Sequence, residues 1–160
     1  MMTATEFNHN KQLGDLIEVN DQALAAIAVS GVELDSRQVV AGDVFLACAG
    51  FAVDGRDYID QAVAAGAVAI LAEQGEQWLK NSQRNGVPVI VVENLSQKVS
   101  AIAGQFFDHP SKQLPVLAVT GTNGKTSCTQ LLMQLLNAMN KSCAVIGTLG
   151  TGADGELELG

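Results

Sequence analysis

The sequence predicts an α/β fold made of one small domain followed by the beginning of a second. Short apolar runs, typical of buried strands in a parallel sheet, alternate with segments of helical pattern. Apolar residues recur at helical spacing over residues 95–107 and again over residues 126–140. The break between these two segments contains Pro110 and leads to Pro115, and we place a domain boundary at about residues 108–114.

The first part of the chain carries four candidate strands and three candidate helices. The strands are predicted at residues 32–34, 44–47, 68–72 and 87–92, and the helices at residues 58–65, 76–85 and 95–107. Gly66 suits the carboxyl-terminal cap of the first helix, because glycine adopts the left-handed conformation without strain. The second helix is short and polar, and its Trp78 is expected to pack against the protein rather than to stack on a base.

The second part begins with one predicted β-α-β unit. It consists of a strand at residues 116–119, a glycine-rich loop at 120–126, a helix at 126–140 and a strand at 142–146, and its sheet should be parallel. One such unit does not close a nucleotide-binding domain, so this second domain is expected to be incomplete. The inner face of the helix is predicted to hold Cys128, Leu131, Leu132, Leu135, Leu136 and Met139.

Composition limits the kinds of partner that the protein can bind and the cellular compartments in which it is expected. The net charge is −8, so the chain as a whole repels nucleic-acid phosphates and anionic lipid, and neither is an expected partner. The three cysteines lack the C-x-x-C spacing of metal sites. Their odd count, with no recognisable signal peptide, favours reduced thiols and a cytoplasmic location. Residues 1–11 are polar and are expected to form a disordered tail.

Residues 120–126 carry the clearest chemistry in the sequence. Gly121 and Gly124 allow the backbone to curl, so that its N–H groups point inward and bind phosphate oxygens. The helix that follows adds the positive end of its dipole. Lys125 is placed to contact the β- and γ-phosphates of a nucleotide, and the hydroxyl of Thr126 is placed to bind Mg²⁺.

This loop departs from the strict pattern G-x-x-x-x-G-K-[ST] at one position. Val119 stands where that pattern has its first glycine. The alternative interpretation is an ordinary turn between a strand and a helix, with Lys125 and Thr126 solvated. Strand, glycines, Lys-Thr and amphipathic helix nevertheless occur in the order that a phosphate-binding loop requires.

The chain resembles the Mur ligases, the ATP-dependent ligases that build the peptide of peptidoglycan. Residues 119–127 are similar to the ATP loop of that family, and residues 106–111 are similar to its inter-domain connection. Upstream, residues 35–37, 42–45 and 54–58 resemble the first domain of the members that add the third residue of the peptide. The resemblance covers about residues 30–150.

The resemblance implies that the two parts of the chain bind different ligands. Residues 12–110 would form the domain that binds the UDP-muramoyl substrate, and residues 111–160 would form the start of a truncated central ATP-binding domain. The implied substrate-binding positions are Leu34, Ser36, Phe51, Ala52 and Val53, and the implied ATP-binding positions are Gly121, Thr122, Asn123, Gly124, Lys125, Thr126 and Ser127. Lys125 would be the catalytic residue and Thr126 the metal ligand.

The implied reaction adds a third residue, by default meso-diaminopimelate, to UDP-MurNAc-L-Ala-D-Glu. ATP and Mg²⁺ are the implied cofactors, an acyl phosphate is the implied intermediate, and the protein is expected to be a cytoplasmic monomer. Further metal ligands, a modified lysine and the amino-acid pocket of the family have no counterpart in these 160 residues. We therefore expect the chain to be a fragment that is inactive alone.

Several alternatives stay open at the level of sequence. The chain resembles, less closely, the D-Ala-D-Ala-adding ligases and cyanophycin synthetases, and a non-catalytic UDP-sugar-binding module is a third hypothesis. Residues 35–37 alone are a common polar turn, in which Arg37 pairs with Asp35 or Asp43. Arg56 is open to a similar interpretation as part of a solvated turn, and Cys128 is expected to be a core thiol rather than a nucleophile.

Overall fold

The structure, a computed structural model, describes residues 11–50, 53–153 and 156–158. The chain divides into two compact units, Met1–Leu114 and Pro115–Gly160. Each unit contains its own β-sheet; the first has several helices, and the described residues of the second have one.

The first unit contains four short to medium helices and seven strands within its described residues. The helices are α1 (Leu13–Leu16), α2 (Gln22–Ala25), α3 (Ile59–Ala65) and α4 (Leu95–Phe106), with 3₁₀ turns at Gly55–Tyr58 and Pro110–Lys112. The strands are β1 (Lys11–Gln12), β2 (Ala28–Val29), β3 (Gly31–Glu33), β4 (Asp43–Ala47), β5 (Ala69–Glu73), β6 (Ser82–Arg84) and β7 (Val87–Val92).

The main sheet of this unit has five strands in the order β3-β4-β5-β7-β6. The first four are parallel, and β6 is an antiparallel edge strand on β7. The small β1-β2 pair lies outside this sheet. Because the parallel strands run in one direction, their carboxyl ends meet at one edge, where ligands of open α/β sheets bind.

Both faces of the sheet are buried, which explains the continuous apolar runs of β4 and β5. Val44, Leu46 and Leu71 belong to one hydrophobic cluster, which also includes residues of α1 and α4. Phe45 and Ile70 belong to a second cluster, which includes residues of α3. Successive residues of a strand point to opposite faces, so one run of apolar residues supplies both clusters.

Most strands and helices of the first unit agree with the sequence prediction. The four predicted strands lie within one residue of β3, β4, β5 and β7, and the predicted helices at 58–65 and 95–107 correspond to α3 and α4. Gly66 caps α3 with a φ of 107°, as expected for a left-handed cap. Its Cβ position would lie 3.0 Å from Cα of Ala41, so a side chain would also clash there.

The predicted helix at residues 76–85 is wrong. Residues 82–84 form β6, which turns back through Asn85 and Gly86 into β7. Both turn residues have positive φ, 48° and 84°, the backbone of a two-residue hairpin for which Asn-Gly is the preferred sequence. Trp78 does pack against the second hydrophobic cluster, as expected, but from an irregular segment closed by a bridge to Gly75.

The second unit is built around one helix and a small sheet. Its described elements are α5 (Lys125–Ala138), β8 (Ala144–Gly147), β9 (Gly150–Ala153) and β10 (Glu156–Glu158). The strand order is β10-β9-β8, and both pairings are antiparallel.

The strand predicted at residues 116–119 is wrong, and so is the parallel pairing expected for it. Residues 115–120 have no regular secondary structure, and Val116 and Leu117 are 73% and 69% exposed. A strand exists only where its backbone groups pair with a neighbour. Among the described residues β8 pairs with β9, and residues 116–119 take no part in a ladder.

The predicted inner face of α5 is only partly buried. Of the predicted residues, Leu132 and Leu136 are half-buried, whereas Leu131, Leu135 and Met139 are exposed. The buried residue of α5 is Met133, which the prediction did not include. Cys128 is also exposed, so the expectation of a core thiol is wrong. Helical spacing identifies an apolar face, but burial of that face depends on a neighbour that the spacing does not specify.

Candidate functional site

A cavity of about 610 Å³ lies in the first unit at the carboxyl ends of β3 and β4. Its wall combines the segment after β3, the segment after β4, and α3 with the 3₁₀ turn before it. The lining residues are Leu34, Asp35, Ser36, Arg37, Phe45, Leu46, Cys48, Gly50, Val53, Gly55, Tyr58 and Gln61. Apolar and polar side chains therefore meet in one concave surface.

Three of the residues predicted to bind substrate lie together in this cavity. Leu34 and Val53 are 54% and 58% exposed, and they offer apolar surface at the cavity wall. Ser36 is buried, with 7% of its surface exposed. Phe51 and Ala52, the other two predicted positions, lie outside the described residues.

The hydroxyl of Ser36 is held by α3. It donates a hydrogen bond of 3.0 Å to Oε1 of Gln61. This bond fixes the side chain at the cavity wall, where its oxygen keeps the capacity to accept a further bond.

Two Asp-x-Arg turns, Asp35–Arg37 and Asp54–Arg56, have the same local structure. In each, the arginine N–H donates to Oδ1 of the aspartate at 3.0 Å, and the guanidinium Nε donates to the same oxygen at 2.9 Å. The aspartate therefore both closes the turn and neutralises the arginine. Arg37 pairs with Asp35 rather than with Asp43, which instead accepts the N–H of Val40 at 2.8 Å.

These pairs shift the pKa values of their carboxylates. The hydrogen bonds from Arg37 lower the pKa of Asp35 from 3.8 to about 2. The side-chain hydrogen bond from Arg56 likewise lowers the pKa of Asp54. Arg56 is not simply solvated, because its Nη1 also donates to the backbone carbonyl of Glu73 at 3.1 Å.

Glu73 is a structural residue of this edge that the sequence interpretation missed. It ends the otherwise apolar strand β5 and is 9% exposed. Its Oε2 accepts the N–H of Ala49 at 2.8 Å, and its Oε1 accepts both the hydroxyl and the N–H of Ser96 at 2.8 and 3.3 Å. The available signal was a carboxylate at the end of a buried apolar run, where it requires partners.

Glu73 stays ionised although it is buried, because of those hydrogen-bond partners. Desolvation alone would raise its pKa, but the hydrogen bonds from Ala49 and Ser96 more than offset this, and the net shift is downward. Burial, with a smaller contribution from the nearby charge of Glu73, raises the pKa of the Cys48 thiol to about 11. At neutral pH a protonated thiol, Cys48, thus lines the cavity, and an ionised carboxylate, Glu73, lies behind the wall.

Tyr58 and Gln61 are the other lining residues that the sequence interpretation did not single out. Tyr58 is 41% exposed and presents its ring at the cavity. It is the only tyrosine in the sequence, and it follows the second Asp-x-Arg turn by two residues. Gln61 is placed one helical turn later, where it reaches Ser36.

The glycine-rich loop of the second unit leads directly into α5. Gly121 and Gly124 have φ values of 148° and 77°, and Gly124 is the residue that precedes the helix. The first helical hydrogen bond joins the N–H of Cys128 to the carbonyl of Gly124 at 2.9 Å. The N–H groups of Lys125, Thr126 and Ser127 therefore lie before the helical ladder, where they are available to an anion.

The side chain of Lys125 folds back over the loop. Its Nζ donates to the carbonyl of Gly121 at 2.5 Å and to the carbonyl of Thr122 at 3.3 Å. The loop thus joins a cation with the N–H groups of a helix terminus, which is the donor set that phosphate oxygens require. The exposed residues Thr122, Asn123 and Ser127 complete the loop surface.

Two features are absent from the described residues. Residues 11–50 and 53–153 hold no cluster of three or more His, Cys, Asp or Glu side chains suited to a metal ion. In the same part of the chain, no helix combines the length and apolar character needed to cross a bilayer.

The first unit has a parallel sheet with a cavity at its strand ends. The second has a glycine-rich loop before a helix. Together these features define an α/β protein with a phosphate-type loop. The family model described as Mur ligase family, catalytic domain, matches residues 28–107. The model described as Mur ligase middle domain matches residues 119–159. The chain belongs to the Mur ligase family.

Curated relatives narrow the likeness within that family. The chain is 40% identical over 150 residues to a UDP-N-acetylmuramoyl-L-alanyl-D-glutamate--2,6-diaminopimelate ligase of Coxiella burnetii. This match covers 93% of this chain and 30% of the relative. The enzymes of the same name from Pseudomonas putida and Vibrio cholerae are 50% identical over 127 residues and 45% identical over 144 residues. Those two matches cover 79% and 89% of this chain, but only 25% and 29% of the relatives.

Solved structures agree with this assignment. A structure of a UDP-N-acetylmuramoyl-L-alanyl-D-glutamate--2,6-diaminopimelate ligase matches with a TM-score of 0.70 and 27% identity, over 92% of this chain and 30% of that one. The MurF ligase of Thermotoga maritima, in complex with ADP, matches with a TM-score of 0.50 and 31% identity, over 67% of this chain and 23% of that one. The chain thus spans about 30% of the length of the Coxiella burnetii enzyme and of the first of these solved structures.

Proposed function

We propose that this chain contributes to an ATP-dependent ligase that adds 2,6-diaminopimelate to UDP-MurNAc-L-Ala-D-Glu. The names of three relatives at 40%, 45% and 50% identity support this substrate and this reaction. The observation that carries the proposal is the combination of a cavity at the strand ends of the first unit with a phosphate-type loop in the second.

The cavity is proposed to bind the UDP part of the muramoyl substrate. Its volume of about 610 Å³ falls within the range of small-molecule pockets, roughly 300–1,000 Å³. Leu34 and Val53 supply apolar contact for a base or ribose. The Ser36 oxygen would accept a hydrogen bond from the uracil, or its hydroxyl would turn from Gln61 to donate to the pyrophosphate. Phe51 and Ala52 are proposed to contribute through their backbone.

The loop at residues 121–127 is proposed to bind ATP. The N–H groups that precede the α5 ladder would hold phosphate oxygens, and Lys125 would exchange its two loop carbonyls for the β- and γ-phosphates. The ADP in the MurF relative supports this assignment. The hydroxyl of Thr126 would hold Mg²⁺, which supplies further neutralisation of phosphate charge.

The proposed reaction forms an amide in two displacements. The D-glutamate carboxylate attacks the γ-phosphorus of ATP, and ADP leaves. The amine of diaminopimelate then attacks the acyl carbon, and inorganic phosphate leaves with loss of a proton from the nitrogen. Two anions approach in the first displacement, so the role of Lys125 is to neutralise the charge that develops on the phosphoryl oxygens.

The proposal extends to compartment and assembly. The substrate is a soluble nucleotide conjugate, and the thiols Cys48, Cys128 and Cys143 are free in the structure, which is consistent with a cytoplasmic protein. We propose a monomer whose partners are small molecules rather than nucleic acid.

Calorimetry on the 160-residue chain tests the proposal. UDP-MurNAc-L-Ala-D-Glu and ATP with Mg²⁺ should each bind, and Lys125→Ala should weaken ATP binding on the order of a hundredfold. The same variant should bind the UDP compound as the wild type does, because Lys125 lies in the second unit. Lys141→Ala, which removes another exposed lysine of that unit, is the matched control and should leave both affinities unchanged.

The result distinguishes the proposal from its alternatives. Binding of the UDP compound without ATP would favour a UDP-sugar-binding module over a ligase, or would show that the truncated second domain is misfolded. Wild-type ATP affinity in Lys125→Ala would contradict the role given to that lysine.

A further inference from the structure

The segment between Cys48 and Arg56 is fastened to Glu73 at both of its ends. At the first end, the N–H of Ala49 donates to the Glu73 carboxylate at 2.8 Å. At the second end, Nη1 of Arg56 donates to the Glu73 backbone carbonyl at 3.1 Å. The N–H of Gly55 also donates to the carbonyl of Cys48 at 2.9 Å, which draws the two ends together.

The fastened segment forms one wall of the cavity. Gly50 and Val53 lie between the two attachment points and both line the cavity, whereas Glu73 is not among the lining residues. A Cβ at Gly50 would lie 2.3 Å from the carbonyl oxygen of Val53, so the backbones of these two residues lie close together. The position of this wall therefore depends on a residue behind it.

The second carboxylate oxygen of Glu73 holds a different element. Oε1 accepts the N–H and the hydroxyl of Ser96 in the first turn of α4. Asn94, the residue at the N-cap of α4, makes no side-chain capping bond. Glu73, which lies at the end of β5, caps the helix instead. Its negative charge is favourable beside the helix amino terminus.

Ionised carboxylate is the group that fits this position. The backbone N–H of Ala49 and that of Ser96 reach different oxygens of Glu73, and neither N–H can become an acceptor. A glutamine of the same shape has a single acceptor oxygen, so one of the two N–H groups would face its NH₂. The substitution therefore disrupts one attachment even though it preserves volume.

We propose that Glu73 is a positioning residue of the cavity, which sets Gly50 and Val53 at the distance that the UDP part of the substrate requires. This inference rests on the proposed function of the cavity. Glu73 acts through Ala49 and Arg56 and does not contact the ligand. Its ionised state is supported by the lowered pKa that the hydrogen bonds from Ala49 and Ser96 produce.

Calorimetry with UDP on the full chain tests this role. Glu73→Gln should weaken UDP binding about tenfold at a temperature well below its Tm, because the N–H of Ala49 then faces either the NH₂ or the uncharged oxygen of the amide, and the charge-assisted bond to the wall is lost in both cases. Ser96→Ala is the matched control, since it removes a bond to the same carboxylate on the α4 side and keeps the Ala49 attachment. It should lower the Tm and change the UDP affinity by less than about twofold.

Hydrogen exchange adds a readout that general destabilisation does not produce. The amide of Ala49 should lose protection in Glu73→Gln and keep it in Ser96→Ala. UDP affinity within about twofold of wild type in a folded Glu73→Gln chain would overturn the inference. Absence of UDP binding by the wild type would overturn the proposed function of the cavity, and the inference with it.

A second variant covers the case in which Glu73→Gln does not fold. Arg56→Lys keeps the positive charge but loses the planar fork that reaches both Asp54 and the Glu73 carbonyl. It should weaken UDP binding about fivefold. Unchanged UDP affinity in this variant would count against the attachment of the wall to the backbone carbonyl of Glu73, and so against the two-ended attachment on which the inference rests.

Discussion

Ser36 and Gln61 are joined by a 3.0 Å hydrogen bond between the end of β3 and α3, across 25 residues of sequence. Ser36 is buried at the cavity wall, whereas Gln61 is exposed on its other side. The bond therefore orients a hydroxyl toward the cavity from a partner that water can also reach. Because only Ser36 of the two is buried, a substitution at Ser36 can change ligand binding without a matching change in folding stability.

Ser36→Ala should weaken UDP binding about fivefold and change the Tm little. The ligand loses a hydroxyl partner, while the exposed Gln61 amide regains water rather than being left unsatisfied. Calorimetry with UDP and thermal unfolding measure the two quantities. Ser30→Ala is the control, because Ser30 is exposed and lies outside the cavity lining. A large Tm loss without a change in affinity would make Ser36 a purely structural residue.

Arg37→Ala should raise the pKa of Asp35 from about 2 toward 3.8. The folded-state pKa lies below the ordinary value, so the pair stabilises the fold above about pH 3.8 and this contribution is lost as the pH falls toward 2. Carboxyl carbon NMR shifts followed against pH measure both chains. Arg84→Ala removes a different arginine and should leave the Asp35 titration in place. A wild-type midpoint near 3.8 would show that the pair does not persist in solution.

Cys48 should react with iodoacetamide much more slowly than Cys128 at pH 8. Burial and the charge of Glu73 raise its pKa from 9.0 to about 11, which reduces the thiolate fraction roughly a hundredfold, whereas Cys128 is exposed. UDP should slow the reaction of Cys48 further, since this thiol lines the cavity. Mass spectrometry of the labelled peptides gives both rates.

The control for this experiment is the chain unfolded in urea, where the two thiols should react at similar rates. Preferential labelling of Cys48 in the folded chain would contradict the burial described for it. Identical Cys48 rates with and without saturating UDP would place the nucleotide elsewhere.

Gly124→Ala should weaken ATP binding more than Gly124→Asn. Gly124 has a φ of 77°, and no atom lies within 4 Å of its Cβ position, so the penalty is conformational rather than steric. Alanine in the left-handed region costs about 1–2 kcal/mol, and asparagine tolerates this region better. Calorimetry with ATP and Mg²⁺ gives the order of the two variants. Equal affinities for wild type and Gly124→Ala would show that the bound loop has a different backbone at this residue.

Local sequence signals predicted the parts of the fold that depend on local chemistry. The apolar runs of β4, β5 and β7 needed burial on both faces, and Gly66 needed a left-handed cap. The helix predicted at 76–85 failed because the Asn85-Gly86 turn was overlooked, and that dipeptide favours a hairpin over any helix. The information was present in the sequence there.

Other errors concern partners that the local sequence does not specify. Residues 116–119 have the composition of a buried strand, yet strand formation requires a neighbour to pair with. Cys128 lies on an apolar stripe of α5, but burial of that stripe depends on what packs against it. Ser36 and Val53 were predicted from a resemblance, whereas Gln61 and Glu73 act through bonds that span more than 20 residues and leave no local pattern.

The two Asp-x-Arg turns have an evolutionary consequence. In each turn one aspartate supplies both the backbone bond and the counter-ion, so losing it leaves a loosened turn and an unpaired guanidinium beside the cavity. Loss of the arginine alone leaves a bare carboxylate where a phosphate-bearing ligand is proposed to bind. A substitution at either position is therefore unfavourable until the partner residue is substituted as well. We expect each aspartate and its arginine to be retained or replaced together during evolution.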